Sequence, residues 1–366
     1  MKHFFRKILF PYLILAAAIL ALNLAARRVS GFGEWYAAHI YPFFVNTIGR
    51  LLSPIPFSVV EIGLYALLTA ALFFLVRGLF RIFRRRYQPL AFLSSCIKKI
   101  LLTAELLLLV YTLTCGINYH RTPFSTLAGY EIRKSTVEEL TGLCRSLAKD
   151  LQELSPGMTR DEDGCTVLEG DAAAAASEAM SALGELYPCL DGYYPRPKLL
   201  LVSEILSYQQ LSGVYSPFTV EANVNADMTA YNLAPTMCHE LSHLRGFMRE
   251  DEANFIAYLA CRHSDNVSFR YSGTLFAYIY ASNALFSEDL DAWKEIRASL
   301  PEGVLTDLAA NNAFWDAYEG PVAEVSDKVN DTYLKINNQT DGVKSYGRMV
   351  DLLLAEYRSL HSSLNQ

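Results

Sequence analysis

The sequence has little charge and few cysteines. Only 19% of its 366 residues are charged, against about 25% in ordinary soluble domains. Hydrophobic residues make up 52%, which excludes a disordered or collagen-like chain. Seven cysteines, with no C-x-x-C pair, are too few for a disulfide framework. The excess of apolar residues therefore lies in a large core, in a membrane, or in both.

The net charge of −6 conceals an uneven distribution. Residues 1–118 carry 13 basic and 3 acidic residues, whereas residues 119–366 carry 19 basic and 35 acidic ones. The acidic part would repel phosphate, so we expect no nucleic-acid partner. The basic part is also the more apolar, a combination that is typical of membrane regions.

Three apolar runs lie in this basic part, at residues 8–26, 57–80 and 100–119. Each has the roughly 20 residues that a helix needs to cross the hydrocarbon layer of a bilayer. The alternative for the first run is a cleaved signal peptide, but its apolar stretch is too long and its end is a poor cleavage site. We therefore predict a lipid-bilayer partner and three transmembrane helices in residues 1–118.

The basic residues between these runs predict the orientation of the chain. Residues 77–99 contain seven Arg and Lys residues and no acid, and the positive-inside rule places such a loop, like the basic N-terminal tail, in the cytoplasm. The protein would thus be a multi-pass protein of the cell membrane, with residues 120–366 outside the cytoplasm. Glu61 and Glu105 lie inside apolar runs, where an acid serves an ion pathway or reaches the interface from near a helix end. We favour the second interpretation.

Residues 120–366 predict an α+β domain that is mostly helical. Within residues 120–234, helical patterns at 136–154 and 170–186 precede a short strand at 197–203 and a strand or hairpin with edge character at 213–225. Residues 235–366 have a helical pattern almost throughout, and Pro235 suits the first turn of a helix.

One motif in the helical part carries chemistry. The pattern HExxH occurs at His239, Glu240 and His243, and two histidines four residues apart lie on one helical face, where they can share a metal ion. Zn²⁺ accepts imidazole nitrogens, and Glu240 could take a proton from a metal-activated water. The alternative is a pair of ordinary surface histidines. We favour zinc as the cofactor, because the motif uses two of only seven histidines.

A third ligand is expected among the acidic residues that follow the motif. Gly246 can turn the chain back, which would bring Glu250 to the metal. Asn254 lies one turn beyond Glu250 on the same face and could orient a metal-binding imidazole. Glu252 is the alternative third ligand.

The sequence gives weaker evidence for the residues that would bind a substrate than for the metal ligands. An extended peptide could pair with the edge strand predicted within residues 213–225. A transition-state oxyanion needs a further donor, and among the downstream candidates Tyr271, Tyr346 and Arg348 we predict Tyr346.

Two resemblances extend this interpretation. The pattern HExxH-x6-ExxAN over residues 239–254 resembles the gluzincins, zinc peptidases with Glu as third ligand. Three spans followed by GINYHRTP (116–123), HELSHLRGF (239–247) and VNDTYLK (329–335) resemble domain of unknown function family 3810, a bacterial family. The resemblances imply a zincin-like extracytoplasmic domain with zinc as its cofactor.

These observations predict an integral-membrane zinc metallopeptidase that hydrolyses peptide bonds outside the cytoplasm, with a peptide or protein as substrate. The alternative is a membrane-anchored sensor or scaffold whose metal site is structural or vestigial. The acidic charge of the second part favours basic or neutral peptides. No feature of the sequence indicates an oligomeric state.

Overall fold

The computed structural model describes residues 2–84, 88–337, 339 and 348–364. Most of these residues are helical, and a small sheet lies near the middle of the chain. Tyr346, the predicted oxyanion donor, lies outside the described residues.

The first part of the chain is helical. Its elements are α1 (Lys2–Arg28), α2 (Phe32–His39), α3 (Tyr41–Phe44), a π-helical turn (Val45–Gly49), α4 (Arg50–Leu52), α5 (Val59–Phe83) and α6 (Pro89–Thr114), followed by a 3-10 helix (Gly116–His120). The first predicted apolar run lies within α1, and the second corresponds to α5, which begins two residues later than the run. The third run differs, because α6 begins before residue 100 and ends at Thr114.

Length and composition single out α5 as a helix that could by itself cross a membrane, among the residues described. Two further pieces, Tyr12–Arg28 and Phe32–Leu52, meet the same standard together, with a bend of 114° between them. Helix α6 carries the charged residues Lys98, Lys99 and Glu105 near its middle. Because of these three charges, α6 is not among the helices that are apolar enough to cross a membrane. The structure thus supports one or two membrane helices.

The second part of the chain builds helices around a three-stranded sheet. The helices are α7 (Phe124–Leu127), α8 (Val137–Leu154), α9 (Ala172–Leu186), α10 (Glu204–Tyr208), α11 (Ala230–Leu244), α12 (Glu250–Arg262), α13 (Val267–Glu288), α14 (Leu290–Ala298), α15 (Glu302–Asp316), α16 (Pro321–Ile336) and α17 (Met349–Leu364), with short 3-10 turns at Ser155–Gly157 and Pro188–Leu190. The strands are β1 (Lys198–Leu199), β2 (Gly213–Ser216) and β3 (Glu221–Val224).

The sheet has the order β1-β3-β2. Strand β3 runs parallel to β1 and antiparallel to β2, with Val214 opposite Asn223. The hairpin predicted within residues 213–225 is therefore confirmed, and β2 is an edge strand. The strand predicted at 197–203 is shorter than expected and comprises only the two residues of β1.

Helix α11 lies at the centre of this part, packed against α9, α12, α13 and the sheet. It begins at Ala230, so Pro235 lies inside the helix and not in its first turn, as the sequence suggested. Proline there cannot donate to the carbonyl of Tyr231. Because both residues are buried in the core, tertiary packing outweighs this local preference.

The core does not stop at the expected boundary near residue 118. Tyr36, Tyr41 and Val45 are buried in one continuous cluster that includes Ile117 and the helices of the second part. Residues between the first two predicted membrane helices are thus also part of the domain core.

A buried carboxylate fastens α5 to the sheet. Glu221 on β3 accepts hydrogen bonds from the backbone N–H groups of Val59 (3.2 Å) and Val60 (3.0 Å) at the start of α5. It also forms a buried ion pair with Lys198 on β1, whose ammonium group donates to the Leu52 carbonyl at 3.0 Å. The negative charge satisfies free N–H groups at the positive end of the helix dipole.

Glu61 makes the reciprocal contact from α5. Its carboxylate accepts the backbone N–H groups of Leu201 and Val202, each at 2.9 Å, and the Tyr65 hydroxyl at 2.9 Å. These partners occupy both carboxylate oxygens. The structure therefore supports the interpretation of Glu61 as a group near a helix end that holds the second part of the chain, and not as part of an ion pathway.

We predict that Glu221→Gln strongly destabilises the protein, because Lys198 would keep a buried charge without its counter-ion. Breaking a buried pair in this way costs about 3–5 kcal/mol. The matched control is Glu295→Gln, which removes an exposed pair with Arg145 and should cost less than about 1 kcal/mol. Thermal unfolding of the full-length chain in detergent measures both, and equal shifts in midpoint would contradict the prediction.

Candidate metal centre

Two histidines of α11 face each other across one helical turn. The ring centroids of His239 and His243 are 4.6 Å apart, with nearly perpendicular planes. The Nδ1 atom of His243 lies 2.8 Å from the Phe247 carbonyl oxygen. Since a carbonyl only accepts, this contact assigns the ring proton to Nδ1 and leaves the lone pair of Nε2 free for a metal.

The turn after α11 creates this contact. Gly246 has a φ of +93°, its N–H bonds to the His243 carbonyl at 2.8 Å, and the Phe247 N–H bonds to the Ser242 carbonyl at 3.1 Å. This is a Schellman ending, which favours glycine at the left-handed position. The expectation that Gly246 turns the chain back is confirmed, and α12 begins soon afterwards, at Glu250.

Glu250 completes a group of three ligands. Its Oε2 atom lies 3.2 Å from His239 Nε2 and 3.7 Å from His243 Nε2, and one ligand atom of each residue lies within 4.8 Å of the others. Two ligand atoms bound to one tetrahedral metal at about 2.1 Å would be roughly 3.4 Å apart. The three side chains can therefore hold a metal ion.

Electrostatics within this group favours a cation at its centre. Burial alone would raise the pKa of Glu250, but the charges and hydrogen bonds of the two histidines hold it well below its usual value. Burial alone would lower the pKa of His243, but Glu250 raises it to about 9. These side chains therefore stabilise positive charge in the region where a metal ion would bind.

Glu240 lies beside the ligands, between α11 and β2. It is buried, and burial raises the pKa of its carboxyl although both histidines lower it. A Cβ atom at Gly213 would lie 2.6 Å from Glu240 Oε1, so the carboxylate occupies space that only glycine leaves open. Its Oε2 atom has no hydrogen-bond partner among the residues described, which is unusual for a buried oxygen and is consistent with a role in proton transfer.

The alternative third ligand, Glu252, points elsewhere. Its carboxylate accepts the backbone N–H of Phe124 at 2.9 Å, and burial raises its pKa to about 7. Asn254 lies in the lining of the site but donates to the Tyr280 hydroxyl at 3.2 Å. The orienting contact expected from Asn254 is made, for His243, by the Phe247 carbonyl.

The ligands open onto a groove of about 1080 Å³. The edge strand β2 forms one side, and α13 and α16 form others. Away from the ligands and Glu240 the walls are mainly apolar, with Val214, Pro217, Phe276, Val322, Val325 and Val329 among them. An extended chain of several residues could lie in this space.

Sequence reasoning missed Tyr280 on α13. Its hydroxyl accepts from Asn254, and its own proton has no acceptor among the described residues. Burial and the nearby Glu250 charge raise its pKa to about 12, so it remains a donor at neutral pH. Nothing in the sequence distinguishes this residue among 22 tyrosines, because the contact with Asn254 joins two different helices.

Other tyrosines near the groove have hydroxyl groups that already donate hydrogen bonds within the protein. Tyr119 bonds to Tyr333 at 3.2 Å, and Tyr215 bonds to the Thr114 carbonyl at 3.2 Å. Tyr271, a candidate donor from the sequence, bonds to Asp307 at 2.5 Å and does not line the groove.

Arg121 was also missed, although it lies in the GINYHRTP motif. It donates twice to Glu34 (3.0 and 3.2 Å) and once to the carbonyl of Arg245, the residue that directly follows α11 (3.0 Å). Its guanidinium stacks on the Phe247 ring, 4.0 Å from the centroid. Arg121 therefore holds the turn that orients His243.

Comparison with known proteins places this architecture in a family. Residues 36–354 match the family model described as Protein of unknown function (DUF3810). The chain belongs to the DUF3810 family. The match covers the three ligands, Glu240 and the groove, so this DUF3810 chain carries its candidate site within the matched region. Neither the curated proteins nor the solved structures give a match.

We predict that the full-length DUF3810 chain binds one divalent metal ion through His239, His243 and Glu250. Glu250→Gln should lose the metal, because an amide is a weak ligand that carries no charge. The matched control is Glu252→Gln, two residues away, which should keep it. Elemental analysis after dialysis measures the ratio of metal to protein, and equal metal loss in the two variants would contradict the assignment.

Proposed function

We propose that this DUF3810 chain is an integral-membrane zinc metallopeptidase that hydrolyses peptide bonds outside the cytoplasm. The observation that carries the proposal is a group of three potential ligands at an open groove, beside the buried Glu240 carboxylate, whose Oε2 atom has no hydrogen-bond partner among the described residues. Structural zinc sites normally have four protein ligands, whereas catalytic sites leave one position for water. This arrangement favours the catalytic class over the alternative of a sensor or scaffold with a structural site.

The donor set suits zinc, since two imidazoles and a carboxylate are ligands of catalytic zinc sites. When bound, zinc would supply a Lewis acid that polarises the scissile carbonyl and lowers the pKa of a water molecule. Glu240 would take the proton from this water as its oxygen attacks the carbonyl carbon. Glu240 would then return the proton to the leaving nitrogen as the C–N bond breaks.

Tyr280 is the donor that we assign to the developing oxyanion. Its free O–H lies at the groove, and Asn254 holds its oxygen from the other side. A donor fixed in a site that excludes water stabilises negative charge that appears only in the transition state.

Strand β2 is the element along which the peptide would lie. The Asn225 N–H bonds to the Ser212 carbonyl at 2.9 Å, and the alternation of an antiparallel pair then turns the backbone groups of Gly213 and Tyr215 away from β3. Those of Gly213 are available to a substrate strand. An antiparallel edge strand beside an HExxH helix also supports the zincin-like fold.

The membrane arrangement is part of the proposal. We place α1, α5 and α6 across the bilayer, with the basic loop at 77–99 in the cytoplasm. The start of α5 then lies at the outer surface, where Glu221 and Glu61 hold it to the domain that carries the ligands.

We predict that Glu240→Gln keeps the metal and lowers peptide cleavage by about 10²-fold or more, because the general base is lost. Gly213→Ala should act in the same direction, since its Cβ would displace the Glu240 carboxylate. Gly157→Ala is the matched control, because its Cβ would make only ordinary contact.

The experiment incubates the full-length protein in detergent with a mixed library of apolar and basic peptides and detects products by mass spectrometry. Metal content is measured on the same samples. Stoichiometric zinc in a protein whose cleavage does not differ from that of Glu240→Gln would contradict a peptidase and favour the sensor or scaffold.

We predict that Tyr280→Phe lowers kcat by about 10²-fold with little change in KM, because the lost hydrogen bond forms only in the transition state. Tyr271→Phe is the control, since it removes a buried hydroxyl that bonds to Asp307 outside the groove. Steady-state kinetics on a peptide identified from the library measures both variants. A kcat for Tyr280→Phe equal to that of Tyr271→Phe would rule out this role.

A further inference from the structure

The segment from Phe32 to Leu52 presents three rows of residues spaced four apart. One row is buried in the domain core and consists of Gly33, Ala37, Tyr41, Val45 and Gly49. The opposite row is exposed and consists of Trp35, His39, Phe43, Thr47 and Leu51, of which Trp35, Phe43 and Leu51 are large and apolar. The segment bends by 114° from the preceding helix, so if α1 crosses the bilayer, the exposed apolar row rests on its outer surface.

The third row lines a pocket at the side of this segment. Ala38, Pro42, Asn46 and Arg50 face Ser181, residues 191–194 and Arg245 across a cavity of about 680 Å³. The pocket therefore lies between the apolar row and the domain, at the depth where lipid headgroups would be found.

Two guanidinium groups line this pocket. Arg50 lies over the Tyr193 ring, 4.0 Å from its centroid, and its Nε donates to Asn46 Oδ1 at 3.2 Å. Arg245 directly follows α11 and packs so closely on Gly192 that a Cβ atom at Gly192 would lie 2.3 Å from Arg245 Nη1.

The guanidinium of Arg245 has no partner among the residues that the structure describes. No described carboxylate lies within 4.0 Å of it, and its side chain donates no hydrogen bond to the described part of the chain. Of the seven other half-buried arginines among the described residues, Arg270 donates to backbone carbonyls and Arg297 lies over the Trp293 ring. The other five pair with carboxylates, namely Arg121, Arg160, Arg249, Arg262 and Arg358. A half-buried guanidinium with five donors and no acceptor is available to a ligand with several oxygens.

Asp191 also lines the pocket and would oppose an anion. The lining still carries two positive charges against one negative charge. The planar fork of arginine matches the oxygens of phosphate, which it binds with paired, charge-assisted hydrogen bonds. The Tyr193 hydroxyl at the same pocket could donate to a further oxygen, whereas the Ser181 hydroxyl already donates to the Ser177 carbonyl at 2.8 Å.

We propose that the pocket between Arg50 and Arg245 binds a phosphate group, supplied by the headgroup of an anionic phospholipid in the outer leaflet. The phosphate chemistry follows from the guanidinium of Arg245, which has no partner among the described residues, beside that of Arg50. The lipid source follows from the apolar row on the same segment and from the bend after α1. This site is separate from the three metal ligands and does not depend on peptidase activity.

The test uses the full-length protein in non-ionic detergent micelles with three probes: phosphatidylglycerol, inorganic phosphate and diacylglycerol, which lacks phosphate. Retained lipid is measured by native mass spectrometry, and phosphate by calorimetry. Binding of phosphatidylglycerol should weaken about tenfold in Arg245→Gln and several-fold in Arg50→Gln, and diacylglycerol should not be retained. Arg145→Gln, an exposed arginine outside the pocket, is the matched control and should bind as the unchanged protein does.

Two further variants keep the result interpretable. Asp191→Asn should strengthen binding, because it removes the opposing charge, and a gain cannot arise from misfolding. His239→Ala should leave lipid binding unchanged, which separates this site from the proposed peptidase. Inorganic phosphate binding that is lost in the same arginine variants, without lipid binding, would support the phosphate site and overturn the lipid source. Equal phosphatidylglycerol binding in Arg145→Gln and in the double variant Arg50→Gln/Arg245→Gln would overturn the proposal.

Discussion

The three candidate metal ligands depend on an arginine that touches none of them. Arg121 joins Glu34, which lies on the segment before α5, to the turn that ends α11. The Phe247 ring packs on its guanidinium, and the carbonyl of the same residue accepts the ring N–H of His243. Paired hydrogen bonds between guanidinium and carboxylate hold both orientation and distance. The tautomer that leaves His243 Nε2 free for a metal is therefore coupled to the packing of the first part of the chain.

This coupling means that the two parts do not act as an anchor and a tethered domain. Their apolar cluster is continuous, and buried carboxylates cross the boundary in both directions, from Glu221 to the start of α5 and from Glu61 to the loop after β1. Such contacts fix the height and tilt of the groove relative to α5. If α5 spans the bilayer as proposed, a substrate has to reach the ligands at a set distance from the membrane surface, and that distance becomes part of its selection.

Local features of this protein could be predicted from the sequence, and long-range pairings could not. The HExxH spacing, the turn at Gly246 and the helix at 136–154 each depend on neighbours within a few residues, and the described structure contains all three. The choice between Glu250 and Glu252 as the third metal ligand could not be made from the sequence, because it depends on the residue at which α12 begins. Tyr280 and Arg121 carried no local signal, since their partners lie on other elements. The prediction that Pro235 lies in the first turn of its helix was wrong, because core packing tolerates proline inside α11.

The same distinction between local and distant effects applies to substrate choice. The acidic excess of the second part suggests a preference for basic peptides, yet charges more than about 8 Å away are largely screened at physiological ionic strength. Within the groove, the charged side chains besides the metal ligands are those of Glu240 and Asp327, and the walls formed by β2, α13 and α16 are mainly apolar. Distant charge can speed the encounter, whereas burial of apolar surface against these walls determines which segment stays bound. If the chain is a peptidase as proposed, its groove would favour neutral, apolar segments.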